Sequence, residues 1–171
     1  MLNPYRHEDA ELLTASVERV VPSIKKLIDE ASSRDVEVVY VNDNYGDWSA
    51  GRPDLIERAL AGAAAHLVRP IVPAENRPFV IKARHSIFYQ TLVEYMLRQS
   101  GIERIVLSGQ VTEQCILYSA LDAYVRHFEV VVSRDSVAHI HEDFAQAALA
   151  MMERNMHAEV ASSVDDALEL L

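Results

Sequence analysis

Arg104-Ile-Val-Leu-Ser-Gly-Gln-Val-Thr-Glu-Gln-Cys-Ile-Leu-Tyr-Ser-Ala120 is the stretch whose reading decides the fold. Arg104 to Ser108 is a short β-branched run of the kind that forms a strand buried on both faces. Gly109 marks a turn, and a helical pattern runs from Glu113 to His127. A strand that passes through a tight turn into a helix is half of a βαβ unit. It delivers Cys115 to the first helical turn, just beyond the carboxyl end of the strand. In open parallel sheets that edge is where ligands bind.

Outward from this stretch the same alternation repeats. Glu37–Val41, Phe79–Lys82 and Glu129–Ser133 read as further buried strands, and Ala158–Val160 as a short edge strand. Between them lie amphipathic segments: Glu8–Val21, a second segment opened by Pro22 with Ile24, Leu27, Ile28 and Ala31 on one face, then Asp54–Ala65, Gln90–Ser100 stopped by Gly101, and Glu142–Arg154. Ser163 is an N-cap for a last helix. Strand and helix in turn predict an α/β fold, a doubly wound and mostly parallel sheet with helices on both faces. One irregularity stands out: the first helical segment begins almost at Met1 with no strand before it.

The chain has 171 residues, 50% of them apolar, which suits one well-cored domain, residues 1–171. A formal net charge of −10 opposes a phosphate backbone, so no nucleic-acid partner is expected. No apolar run approaches the roughly 20 residues that span a bilayer, so no membrane partner is expected either. One cysteine cannot form an internal disulfide, and a reducing, cytoplasmic setting follows as the expectation. The expected partners are a small-molecule substrate and further copies of the chain, in a dimer or tetramer.

The strand ends carry the candidate chemistry. After Val41 come Asn42 and Asp43, then Trp48; Lys82 closes the Phe79 strand, followed by His85 and Phe88; Cys115 follows the third. A carboxylate, an ammonium and a thiol therefore converge on one edge, although they are distant in sequence. Backbone N–H groups of the first helical turn and the Lys82 ammonium would both favour a Cys115 thiolate. The bland alternatives are a buried cysteine acting as a small apolar residue and a solvent-exposed edge lysine. Asn42, Asp43, Trp48, His85, Phe88 and Tyr118 are candidate pocket lining, with aromatic core as the plainer reading of Phe88 and Tyr118. His139-x-His141 lacks the further donors that would complete a metal site, and no cofactor is expected.

Lys82-Ala-Arg-His-Ser-Ile-Phe-Tyr-Gln-Thr91 and Gly109-Gln-Val-Thr-Glu-Gln-Cys115 together resemble the isochorismatase-like cysteine hydrolases, which include isochorismatases, nicotinamidases and carbamoylsarcosine hydrolases. The likeness runs from Met1 to about Val160. It implies that Cys115 is the nucleophile and Lys82 its charge partner. It also implies a cis peptide between Gln110 and Val111, with the amides of Val111 and Cys115 as an oxyanion hole. The metal-dependent nicotinamidases carry Asp-x-His where this chain reads Asp43-Asn44-Tyr45, so no metal is expected.

The family pattern opens with an apolar strand that ends in the catalytic Asp and is followed by Met-x-Asn. Met1-Leu2-Asn3 matches that last part. The expectation is a chain N-terminally truncated relative to the pattern, with its first central strand and its acid lying before Met1. Five or six buried residues at roughly 1.5–3 kcal/mol each are at stake. The function expected is metal-independent hydrolysis of a small amide or related carbonyl compound through a Cys thioester. The alternative is a non-catalytic binding or oligomerisation module that lacks the acid. Vinyl-ether hydrolysis, which depends most on the acid, ranks last.

Overall fold

The computed structural model describes residues 1–170. Its helices are α1 Ala10–Ser33, α2 Arg52–Leu60, α3 Ala65–Val68, α4 Val93–Gln99, α5 Leu117–Val125, α6 Glu142–Met156 and α7 Val164–Glu169. Its strands are β1 Tyr40–Asp43, β2 Phe79–Lys82, β3 Arg104–Gln110, β4 Glu129–Ala138 and β5 Glu159–Ala161. Every strand pair among them is parallel. Helices α1 and α7 pack with each other and on β4, while α5 and α6 pack together with α5 against β4 and α6 against β5. This is the expected doubly wound α/β arrangement.

The hydrogen-bonded sheet comes in two parts, β1-β2 and β3-β4-β5; β1 and β3 are not paired with each other. Residues Met1 and Leu2 run past the carboxyl ends of both. The Leu2 backbone N–H donates to Asn42 Oδ1 at 3.0 Å, and the Leu2 carbonyl accepts from Asn42 Nδ2 at 3.2 Å. A Cβ placed on Gly109, whose φ is +122°, would come within 3.2 Å of the Met1 side chain. Only glycine suits both that backbone angle and that approach.

Several element boundaries differ from the sequence reading: β4 runs on to Ala138 instead of ending at Ser133, α4 covers only Val93–Gln99, and the segment read as Glu113–His127 is a π-helical turn followed by α5. The segments on either side of Pro22 are one continuous helix, α1. Pro22 lies on its exposed side, where the lost N–H and the carbonyl it leaves unbonded can meet water. The buried stripe of Val17, Val20, Val21, Ile24, Leu27 and Ala31 continues across it. Asp54–Ala65 is not one helix: α2 ends at Leu60, and Gly62 presses so closely on Pro4 that a Cβ there would lie 2.4 Å from the Pro4 carbonyl. That contact seats the N-terminal segment against α2. Finally, β1 is displaced toward its carboxyl end, covering Tyr40–Asp43 instead of Glu37–Val41.

The core has two main bodies. One gathers Leu2, Tyr5 and the buried side of α1 with Leu67, Val68 and Ile71. The other joins β3 and β4 to α5 and α6 through Leu107, Val130, Val132, Leu149 and Met152. A smaller cluster joins Leu27 to Val164 and Leu168 of α7. The Ser163 side chain accepts from the Asp166 backbone N–H, the N-cap expected there.

Candidate active site

The displacement of β1 sets the first contact of the site. Asp43 and Lys82 are register partners at the carboxyl ends of β1 and β2. Parallel register brings their side chains together, and Lys82 Nζ lies 3.3 Å from Asp43 Oδ2. The same Nζ donates to the Arg84 carbonyl at 2.9 Å and reaches Cys115 Sγ at 3.7 Å. Lys82 is only 6% exposed, which removes the reading of it as an exposed edge lysine. A buried ammonium needs every proton engaged, and three acceptors surround this one.

Cys115 stands on a π-helical turn, Thr112–Ile116, that leads into α5. The turn is anchored at its start and its base. Thr112 Oγ1 donates to the Ala138 carbonyl at 2.9 Å. Glu113 Oε1 accepts the backbone N–H groups of Ile140 and His141 at 3.0 and 2.8 Å. The peptide between Gln110 and Val111 is cis, as the resemblance implied. The thiol is free and half-buried. On its accessible side, His85 Nδ1 lies 3.7 Å from Sγ, and the His85 ring packs on Tyr118 with centroids 5.4 Å apart.

Around this centre the N-terminal residues are held by polar groups. Asn42 is buried and grips the Leu2 backbone, so it positions the segment rather than lining an open wall. Tyr45 Oη donates to the Leu2 carbonyl at 2.9 Å, and Tyr5 Oη donates to Gln110 Oε1 at 3.0 Å. Burial of these hydroxyl ends pushes both phenols well above the usual tyrosine range, so each remains a donor.

Two of the aromatic candidates part from the centre. Phe88 is 5% exposed and stacks on Phe128 with centroids 5.8 Å apart; it belongs to the core beneath the site, a correction to its place in the pocket wall. Trp48 is 84% exposed on the loop after β1. Tyr118 stays beside His85 and is 44% exposed.

Asp43 Oδ1 accepts the Tyr45 backbone N–H at 2.8 Å, while Oδ2 faces Lys82. Tyr45 directs its hydroxyl to Leu2. No group of three or more His, Cys, Asp or Glu side chains among the described residues is gathered to hold a metal ion, and the residues do not fit one.

Several of these contacts were not legible as roles in the chain. The Arg84 carbonyl acts through its backbone, and no sequence signal marks it. Asn42 and Tyr45 hold Leu2, across 40 and 43 positions of sequence.

Known proteins resemble this chain along most of its length. The Isochorismatase domain family model matches residues 1–165. YaaI of Bacillus subtilis, an uncharacterised isochorismatase family protein, is 28% identical over 162 residues, covering 95% of this chain and 90% of its own. Maleamate amidohydrolase of Pseudomonas putida is 26% identical over 153 residues, covering 85% of this chain and 72% of its own. The crystal structure of N-carbamoylsarcosine amidase from Thermoplasma acidophilum superposes with a TM-score of 0.69 at 25% identity, covering 88% of this chain and 86% of that one. With the family model spanning all but the last few residues, this chain belongs to the isochorismatase family.

Proposed function

We propose that this protein is a metal-independent cysteine hydrolase of a small amide or related carbonyl compound. The observation that carries the reading is the buried Lys82 ammonium held between Asp43 and the Cys115 thiol. An ammonium buried without purpose is costly, and an apolar residue of similar volume would serve packing as well. Next to a sulfur, it stabilises negative charge there. That contrast favours a catalyst over a non-catalytic binding module. Amide hydrolysis is the activity named for two relatives, maleamate amidohydrolase and N-carbamoylsarcosine amidase.

The chemistry then runs through the thiolate. Cys115 Sγ attacks the carbonyl carbon, and the carbonyl electron pair moves to oxygen. The amides of Val111 and Cys115 take that oxyanion, as preorganised backbone donors do. Collapse breaks the carbon–nitrogen bond and releases the amine, leaving a thioester that water clears. The positive charge of Lys82 stabilises the negative charge that sulfur carries during attack and release, and Asp43 offsets the cost of burying that ammonium.

The facing edges of β1 and β3, which are not paired with each other, with Met1 and Leu2 running past their carboxyl ends, support a reading in which the family's first strand would pair in that interval. A homo-oligomer belongs to the same proposal, supported by Leu92, Tyr95, Leu121 and Val125, all exposed on or beside α4 and α5. The free Cys115 suits a reducing, cytoplasmic setting, and among the described residues no helix is long and apolar enough to cross a membrane.

The deciding experiment is turnover of a panel of small primary amides and ureido acids before and after alkylation by iodoacetamide, with and without chelator. Hydrolysis that disappears when mass spectrometry places the label on Cys115, and that chelator leaves unchanged, is the expected result. Hydrolysis that survives full labelling, or that chelator abolishes, would overturn it.

A further inference from the structure

The geometry points to His85 as the group that exchanges a proton with Cys115 and with the departing nitrogen, a role that rests on the hydrolase reading above. The two basic groups within hydrogen-bond distance of Sγ among the described residues are Lys82 and His85, each at 3.7 Å. They differ in what they are free to do. Lys82 is buried, and its Nζ already faces Asp43 Oδ2 and the Arg84 carbonyl. It serves as a fixed charge. His85 is exposed, and its ring rests on Tyr118, so it can pass a proton between the sulfur and arriving or departing molecules. Imidazole is also the side chain suited to both giving and taking a proton near neutral pH.

The step balances as follows. Nδ1 of His85 takes the Cys115 S–H proton, and the thiolate attacks the carbonyl carbon to form the carbon–sulfur bond. As the carbon–nitrogen bond breaks, the imidazolium returns that proton to the nitrogen, which leaves as the amine. In the second half, Nδ1 takes a proton from the attacking water, and the carbon–sulfur bond breaks. The acid is released, and the proton returns to sulfur. The net change is amide plus water to acid plus amine.

The charged and titratable groups around this pair are Lys82 from β2, Asp43 from β1 through Lys82, the Met1 amine and the Tyr45 phenol, which both feel the Cys115 charge, and the Tyr118 phenol from α5 against the His85 ring. The pH dependence of the thiol therefore belongs to the cluster, and the test must isolate His85. His85 lies on the surface, so the fold of a His85→Ala variant is expected to survive, which its melting temperature will check.

The experiment measures the rate of Cys115 alkylation by iodoacetamide against pH, together with amide turnover, in wild type, His85→Ala and His85→Gln. Loss of the imidazole should shift the alkylation profile to higher pH in both variants. It should lower kcat/KM by about 10²-fold, and added imidazole should restore part of the turnover of His85→Ala. An alkylation profile identical to wild type overturns the proposal, whatever the amide panel shows. Turnover lost without rescue by imidazole also overturns it, because His85 would then act through packing on Tyr118. A His85-dependent alkylation profile in a protein that hydrolyses no amide would leave the proton exchange standing while the hydrolase reading fails.

Discussion

The two parts of the sheet are built differently. In β3-β4-β5, the Val130–Val132 run, Val137 and Ala138 are buried, with α1 and α7 against β4 as well as α5. In β1-β2 the strands are four residues long, Phe79 and Val80 are half-buried, and Ile81 is exposed. The larger part is held by apolar burial; the smaller ends in polar groups, Asn42, Asp43 and Lys82. The candidate site joins them, since Asp43, Lys82 and His85 come from the smaller part and its loop while Cys115 comes from the larger. The 3.7 Å contact between Lys82 and Cys115 therefore reports how the two parts sit together. Placing Lys82 and Cys115 across such a seam sets the charge of one part against the more rigidly packed residues of the other.

The strongest way to break this division of labour is Cys115→Ala. It should remove amide turnover by roughly 10⁴-fold or more while barely moving the melting temperature, because the thiol is only half-buried. A variant that melts much earlier would mean that sulfur holds the seam as well as the chemistry.

Adding an apolar strand of about six residues ending in Asp before Met1 should sharpen the comparison from the other side. Paired between β1 and β3, it would unite the two parts and raise stability by several kcal/mol, the scale of burying that many apolar residues less their ordering cost. Denaturant unfolding and turnover of both forms would measure it. Equal stability would show that the strand does not enter there.

Lys82→Met keeps the volume but removes the charge from the seam. Loss of an electrostatic stabiliser predicts a fall of about 10²-fold in kcat/KM and slower alkylation of Cys115 at neutral pH. Unchanged alkylation would strip Lys82 of its link to the thiol.

The smallest effects compare packing alone. Met152 is fully buried in the larger part, and Met152→Ala should cost about 2–5 kcal/mol of stability. Val80→Ala in the smaller part should cost about 1 kcal/mol, since less of that side chain leaves water. If the two substitutions cost the same in denaturant unfolding, the contrast between the parts is wrong.

Much of this was legible in the chain, for identifiable reasons. The start of Glu129–Ala138 stands out because buried parallel strands demand runs of Val and Ile. Phe79–Lys82 stands out through the same β-favouring residue types, although its apolar residues are half-buried or exposed and not buried as the run suggested. Ser163 announced its helix through local hydrogen bonding, whereas Gly109 lies within β3, beside a register irregularity against β4, and not in a turn. The break at Gly62 was hidden because its cause, the Pro4 backbone, lies 58 positions away in sequence. The continuity of α1 through Pro22 was hidden because exposure, not sequence, determines whether a lost hydrogen bond is costly.

The sequence by itself determined the alternation of strands and helices, the edge on which the site lies, and the lysine and cysteine that sit there. Those are consequences of hydrophobic period and of residue order, which act over a few neighbours. Only the tertiary structure decided that Asp43 rather than Val41 ends β1, that Lys82 is buried, and that His85 meets the thiol while Phe88 turns into the core. Each of these depends on strand register and on close packing between distant segments, where a displacement of one or two residues changes every partner a side chain can reach.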